Sequence, residues 1–248
     1  MISKVKILLL LLFISFNSCK SGYQFTADKK PQYKITSNDT LPPEASVIAF
    51  LQPYKLKLDS SMNIRLASSD MEMEKGQPES LLGNFVSDLC MNQVKPFAIE
   101  NNLNIDFCFF NNGGLRNSLP KGDITMRNIF ELMPFDNELV ILIIDGKTTE
   151  KLIKTIIEKG GVPVSGIRII LNKDEKPQAT VQDKPFDTTR DYVILTSDYL
   201  AGGGDQYDFL KNRKEYLQTG LLMRDAIINH CRKAGKISSQ LDNRIRHD

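Results

Sequence analysis

Apolar residues recur along this chain with two periods, and the periods sort most of it into elements. From Pro78 to Val94, residues Leu81, Leu82, Phe85, Val86, Leu89 and Cys90 fall three and four apart, forming one stripe of a helix. Pro78 suits its first turn and Pro96 limits its far end. Thr148 to Lys159 repeats the pattern, with Leu152, Ile153, Ile156 and Ile157 inward and Gly160-Gly161 as the stop. Ala45 to Leu58 has helical spacing interrupted by Pro53. Thr125 to Met133 reads as a short helix capped by Asp123 or Thr125, and Gly220 to Lys233 as a closing helix ended by Gly235. Between these lie shorter runs that predict strands: Asn63–Ala67, Ile105–Phe110, Glu138–Ile144 with a turn at Asp145-Gly146, Ile167–Leu171, Ala179–Val181 and Tyr192–Thr196. Helices and strands mix without regular alternation. The pattern therefore predicts one α+β domain over residues 44–248, a mixed sheet with flanking helices.

The start of the chain follows a different pattern. Lys4 and Lys6 precede an apolar run, Ile7 to Ile14, too short to span a bilayer but suited to a signal peptide over residues 1–18. Phe16-Asn17-Ser18-Cys19 resembles a bacterial lipobox. Cys19 is then the lipidated mature N-terminus, and polar residues 19–43 are a tether from the membrane. A plain signal peptide with an incidental cysteine is the other reading. Either way the chain is expected to be exported, in the first case as a membrane-anchored lipoprotein of the bacterial cell envelope.

Composition excludes several classes. The chain is 41% hydrophobic and 25% charged, an ordinary globular balance, and a net charge of +2 argues against a nucleic-acid polymer as partner. Cys90, Cys108 and Cys231 form no C-x-x-C pair, so no zinc pattern is present. The first two read as small core residues, and nothing in the spacing locates a disulfide. The histidines are His230, on the last helix, and His247, in the tail. Neither stands where Ser/His/Asp chemistry needs one.

Two glycine-rich loops follow strands: Asn111-Asn112-Gly113-Gly114-Leu115-Arg116 and Tyr199-Leu200-Ala201-Gly202-Gly203-Gly204-Asp205. Glycines there let a ligand approach the backbone. Arg116 offers a planar fork to a phosphate or carboxylate, and Asp205 an acceptor for sugar hydroxyls. Phe135 and Tyr199 are faces that can sandwich a flat base, at roughly 1–3 kcal/mol per stacked base. A plainer account stands beside this one. Glycine loops turn chains, lone arginines are solvated, and a Pro-Phe pair is often a core edge. Asp123, Asp136 and Asp205 can also be combined into a carboxylate pair, though caps and turns account for the first two.

Four stretches in order resemble the C-terminal, substrate-binding domain of the 5'-nucleotidase family. They are Leu82-Gly83-Asn84-Phe85-Val86-Ser87-Asp88, Asn111 to Arg116, Ile124-Thr125 through Pro134-Phe135, and Gly203-Gly204-Asp205 followed by Tyr207. Together they cover about residues 45–235. The resemblance implies that Phe135 and Tyr199 clamp a nucleobase, the family more usually having phenylalanine at the second. It implies that Asn111 and Asn137 are base-contacting amides, that Arg116 faces ribose or phosphate, and that Asp205 accepts ribose hydroxyls. Two departures qualify it. Where the family has a further arginine ahead of the Leu-Gly-Asn helix, this chain has only Lys75. The family's metal-binding catalytic domain has no counterpart here, so divalent metals are expected on a partner rather than in this chain. The expectation is the substrate-binding half of a split 5'-nucleotidase, inactive alone, that works with a separate metallophosphatase. A self-sufficient nucleotide hydrolase, a nucleoside-binding lipoprotein without a catalytic partner, and the same fold with a dead pocket are the alternatives.

Overall fold

The structure, a computed structural model, describes residues 44–171 and 178–247. The expected signal peptide, Cys19 and the tether lie outside the described residues. The chain separates into two units, Met1–Ile48 and Ala49–Asp248, and every sheet among the described residues lies in the second.

The fold is α+β, and its strands divide among three mixed sheets. The five-stranded sheet organises the rest. Its order is β10 (Glu215–Leu222), β4 (Glu138–Ile144), β9 (Tyr192–Ser197), β2 (Phe107–Phe109) and β5 (Val164–Ser165). Both faces are covered, which explains why β2, and β4 after its opening Glu138, are apolar at every position instead of alternating. Leu139 and Ile141 of β4 enter one core with Cys108, the helix α2 (Leu81–Glu100) and the helix α6 (Met223–Ala234). Val140, Leu142 and Ile144 enter a second core with Phe107, Phe109 and the helix α4 (Gly146–Glu158).

Two smaller sheets flank this one. β1 (Arg65–Ser69) lies between β3 (Gly122–Thr125) and β11 (Lys236–Ile237). β6 (Ile167–Leu171) lies between β7 (Gln178–Val181), extended by β8 (Lys184–Pro185), and the terminal β12 (Ile245–His247). Helix α1 (Ala45–Met62) precedes β1, α3 (Met126–Leu132) follows β3, and the short α5 (Asp198–Ala201) follows β9. Among the described residues, no helix is long and apolar enough to cross a membrane.

Several boundaries differ from the sequence pattern for identifiable reasons. Pro53 and Pro96 do not break their helices. α1 runs through to Met62 and α2 to Glu100, because each proline and the residue four before it are exposed, so solvent can satisfy the freed carbonyl. Pro78 precedes α2 instead of opening it. The cap is Ser80, whose hydroxyl accepts from the Gly83 N–H at 3.0 Å. Asp145 is a helix cap and not part of a hairpin turn, accepting from the Thr148 N–H at 2.7 Å, so α4 starts earlier than Thr148. Thr125 caps α3 through a reciprocal pair with Asn128, while Asp123 pairs with Arg65 at 2.6 Å. Gly220 belongs to β10 with φ +70, outside the right-handed helical region, so α6 starts at Met223. Cys90, Cys108 and Cys231 are buried free thiols. Burial pushes the Cys231 thiol up to about 12, an unreactive setting.

Candidate functional site

Three chain segments meet beyond one end of the central sheet, and strand direction is the reason. β2 and β9 are parallel neighbours with Cys108 opposite Leu195, so their carboxyl ends point the same way. β4 runs antiparallel to β9 with Leu139 opposite Ser197, which brings its amino end to the same place. The Thr196 hydroxyl donates to the Phe109 carbonyl at 2.9 Å and ties β9 to the end of β2. The crevice beyond the carboxyl ends of parallel strands is a common ligand position in α/β sheets.

Asn111, Arg116, Phe135, Asn137, Tyr199 and Asp205 all line one cavity there, with Gly113 and Gly114, and its volume is about 310 Å³. Sequence reasoning singled out these six from separate loops, and the fold brings all of them together. Asp205 is the centre of the polar side. It accepts from the Asn111 amide at 2.5 Å and from the Tyr199 hydroxyl at 3.1 Å. Its φ of +51 follows Gly203 at +97, so the carboxylate is aimed by a left-handed turn that aspartate tolerates better than most residues. Gly204 is needed for a steric reason. A Cβ there would stand 2.4–2.6 Å from the Tyr199 ring atoms at its hydroxyl end, so any side chain would displace the ring. Gly114 is similar, since a Cβ would meet the Asn111 side-chain oxygen at 2.9 Å.

The lining is also aromatic and cationic. Phe135 is 40% exposed and Tyr199 47%, so both rings keep free surface. The Arg116 guanidinium stands 5.9 Å from the centre of the Phe135 ring and donates to the Gly113 carbonyl at 3.3 Å. Among the described residues nothing else hydrogen-bonds its side chain. Its backbone N–H donates to the Leu132 carbonyl at 2.8 Å, and the neighbouring Leu115 is buried, so the loop is fixed while the side chain is open. Lys75 donates to the Leu115 carbonyl at 3.1 Å, one residue from Arg116. Asn112 does not line the cavity, and its amide donates instead to the Gly161 carbonyl at 3.3 Å.

Arg224 was invisible in the sequence pattern. From α6 it donates to the carbonyls of Met133 and Phe135 at 3.4 and 3.3 Å and pairs with Asp136. The Met223 N–H donates to the Asn137 carbonyl at 2.8 Å. Together these contacts fix the segment that presents Phe135 and Asn137. No local signal marks residue 224 for this role, because its partners are 88 to 91 positions away. Of the three aspartates considered as a carboxylate pair, only Asp205 lines the cavity. Asp123 belongs to Arg65 and Asp136 to Arg224. His230 lies on α6 beside Phe85, ring centres 5.5 Å apart, outside the cavity. Among the described residues no group of three or more His, Cys, Asp or Glu is placed to hold a metal ion.

Residues 60–212 match the sequence profile of the family "5'-nucleotidase, C-terminal domain". The chain belongs to this family. The 5'-nucleotidase of Vibrio parahaemolyticus is 22% identical over 211 residues, which span 79% of this chain and 36% of that protein. Protein UshA of Escherichia coli is 24% identical over 196 residues, spanning 77% of this chain and 35% of that one. The chain thus spans about a third of the length of these two relatives. In fold it is similar to the 5'-nucleotidase precursor of Thermus thermophilus, with TM-score 0.68 and 22% identity over 82% of this chain and 42% of that one. The Haemophilus influenzae NAD nucleotidase gives 0.63 and 17% over 83% and 41%. In this 5'-nucleotidase C-terminal domain the Leu82–Asp88 stretch lies outside the cavity. Asn84 donates to Glu79 at 2.5 Å and to the Gln240 carbonyl at 2.8 Å, and Asp88 holds Arg244, so the motif fastens the end of the chain.

Proposed function

We propose that the cleft binds a nucleotide or nucleoside, and that the chain is the substrate-binding half of a split 5'-nucleotidase whose hydrolytic chemistry belongs to a separate metallophosphatase. The convergence of two half-exposed aromatic rings, an open arginine and an oriented carboxylate on one cavity carries this reading. At about 310 Å³ the cavity is at the small end for ligand sites, sized for a nucleoside with its phosphate projecting outward. A base between Phe135 and Tyr199 places the sugar hydroxyls toward Asp205 and the phosphate toward Arg116. Asn111 and Asn137 supply amides for the base edge. Metal-assisted hydrolysis needs fixed ligands around an open coordination position, and this reading assigns those ligands to the partner.

The test has two arms. Calorimetry with adenosine and AMP measures binding to this chain alone, and wild-type affinity in both Phe135→Ala and Tyr199→Ala removes the clamp. Phosphate release from AMP is then followed with manganese, zinc or cobalt. The chain alone is expected to show background release, and its addition to the cognate metallophosphatase to lower KM. Robust metal-dependent turnover by the isolated chain, lost on chelation, returns the hydrolase reading. Lys75 gives a second reading some support. A single point charge held on a carbonyl grips phosphate less well than an arginine fork, which favours a nucleoside over a nucleotide. Equal affinity for adenosine and AMP would select it.

Export and anchoring belong to the same proposal. Lipidated Cys19 puts the cleft at a membrane surface of the cell envelope. Cys19→Ala is expected to move the native protein from the membrane to the soluble fraction.

A further inference from the structure

Helix α1 has no buried residue over its whole length. Phe50, Leu51, Tyr54, Leu56 and Leu58 are 52–67% exposed. Phe50, Tyr54 and Leu58 are four apart and form one ridge of the helix, with Leu51 beside it. The Phe50 and Tyr54 rings stand 5.7 Å apart on that ridge. Scattered apolar side chains are normal on a surface, but a contiguous ridge marks an interaction site. The helix is joined to α3 at its carboxyl end. Asp59 accepts from Arg127 of α3 at 2.6 Å, and the Met126 N–H donates to the Ile64 carbonyl at 2.9 Å. Lys55 and Lys57 are exposed and form no ion pair with any described residue.

We propose that this ridge is the docking surface for the separate metallophosphatase, an inference that rests on the split-enzyme reading. Position and length select that occupant. The family match begins at residue 60, inside the last turn of α1, and the matched family is a C-terminal domain. The aligned part is 36% of the Vibrio relative, so the larger part of that protein joins this domain on its amino side. α1 stands at that seam. An apolar helix at a seam between domains is covered by whatever lies across it, and in the split arrangement that is the metallophosphatase. The flanking lysines add a feature of the partner, an apolar groove with an acidic rim.

The experiment uses the full chain and the metallophosphatase whose KM for AMP it lowers. Sedimentation velocity follows the complex, and calorimetry follows AMP on this chain alone. Phe50→Glu combined with Tyr54→Glu is expected to weaken the complex at least tenfold, with AMP affinity and the thermal melting curve unchanged. Arg116→Ala is expected to do the reverse, losing AMP while keeping the complex. A wild-type complex in the Glu variant overturns the docking surface and leaves the split enzyme standing. No complex with the wild-type chain overturns both. Release of a self-associated dimer by the Glu variant, with the complex intact, assigns the ridge to a second copy and likewise overturns the proposal.

Discussion

Arg116 and Arg244 sit in two polar clusters built from similar residues, and the two clusters are finished differently. Arg244 is 8% exposed. It donates twice to Asp88, twice to Asp242 and once to the Val164 carbonyl, all between 2.7 and 3.2 Å. Burial alone would lower its pKa, but the hydrogen bonds to Asp88 and Asp242 raise it above the usual value. All five of its N–H groups are therefore used within the molecule, and they strap residues 242–247 onto α2 and β5. Among the described residues Arg116 makes a single side-chain hydrogen bond, to a carbonyl of its own loop, and it lines a cavity. A closed set of donors is a structural device. An open set beside two free rings and an oriented carboxylate is what a ligand can complete.

Removing each arginine is the strongest way to test that contrast. Arg244→Ala leaves Asp88 and Asp242, and Glu79 at 3.9 Å, without their cation in a partly buried place. The expected loss is about 3 kcal/mol, the low end for uncovering a buried charge, since Asp88 and Asp242 keep part of their surface in water. Arg116→Ala is expected to change stability by less than about 0.5 kcal/mol, as surface substitutions generally do, while reducing AMP affinity. Urea unfolding and calorimetry on both variants decide the matter. Equal destabilisation by the two would erase the distinction.

The next effect belongs to the open cluster alone. Tyr199→Ala and Phe135→Ala are each expected to weaken adenosine binding by roughly 1–3 kcal/mol, the worth of one stacked base. Tyr199→Phe keeps the ring and removes only the hydrogen bond to Asp205, so it separates stacking from orientation of the carboxylate. If Tyr199→Ala and Tyr199→Phe weaken binding equally, the ring does not stack. Arg224→Ala probes the brace beneath Phe135. Losing its bonds to the Met133 and Phe135 carbonyls is expected to cost roughly 1 kcal/mol in stability and to loosen adenosine binding as well. An affinity unchanged in Arg224→Ala would mean that Phe135 is positioned without it.

The open cluster was the more legible of the two in sequence. Its glycines, asparagines and aromatics announce themselves locally, because positive φ, as at Gly203, and close approach, as at Gly204 and Gly114, restrict which residues fit. The apolar runs of β2 and β4 were equally readable, as strands covered on both faces must be. Arg244 and Arg224 were not readable. Their partners lie far along the chain, and a lone arginine in sequence looks solvated. β10 was missed for a related reason. It is an edge strand with half its positions exposed and none buried, so Glu215, Tyr216 and Gln218 give no apolar alternation, and Gly220 read as a helix start. The prolines misled because their penalty depends on which side of the helix faces water, and periodicity alone does not reveal that.

The smallest expected effect sharpens the closed cluster. His230 lies in the same region, lining a shallow cavity with Phe85, Asp88 and Ser238 to Gln240. Burial, and then the charge of Lys233, hold its pKa below the ordinary 6.5. Asp88, the carboxylate on that cavity, is bound to Arg244 and does not reverse the shift. Well above pH 6.5 the imidazole is neutral in folded and unfolded chains alike and contributes no pH dependence. As the pH falls below 6.5 the unfolded chain takes up the proton first, so stability is lost down to the folded pKa and not further. Urea unfolding at pH 7.5 and pH 5 is therefore expected to show a larger drop for the wild type than for His230→Gln, with the carboxylate contribution common to both. If the two drops match, His230 is solvated in the folded chain, and the closed region ends at Arg244.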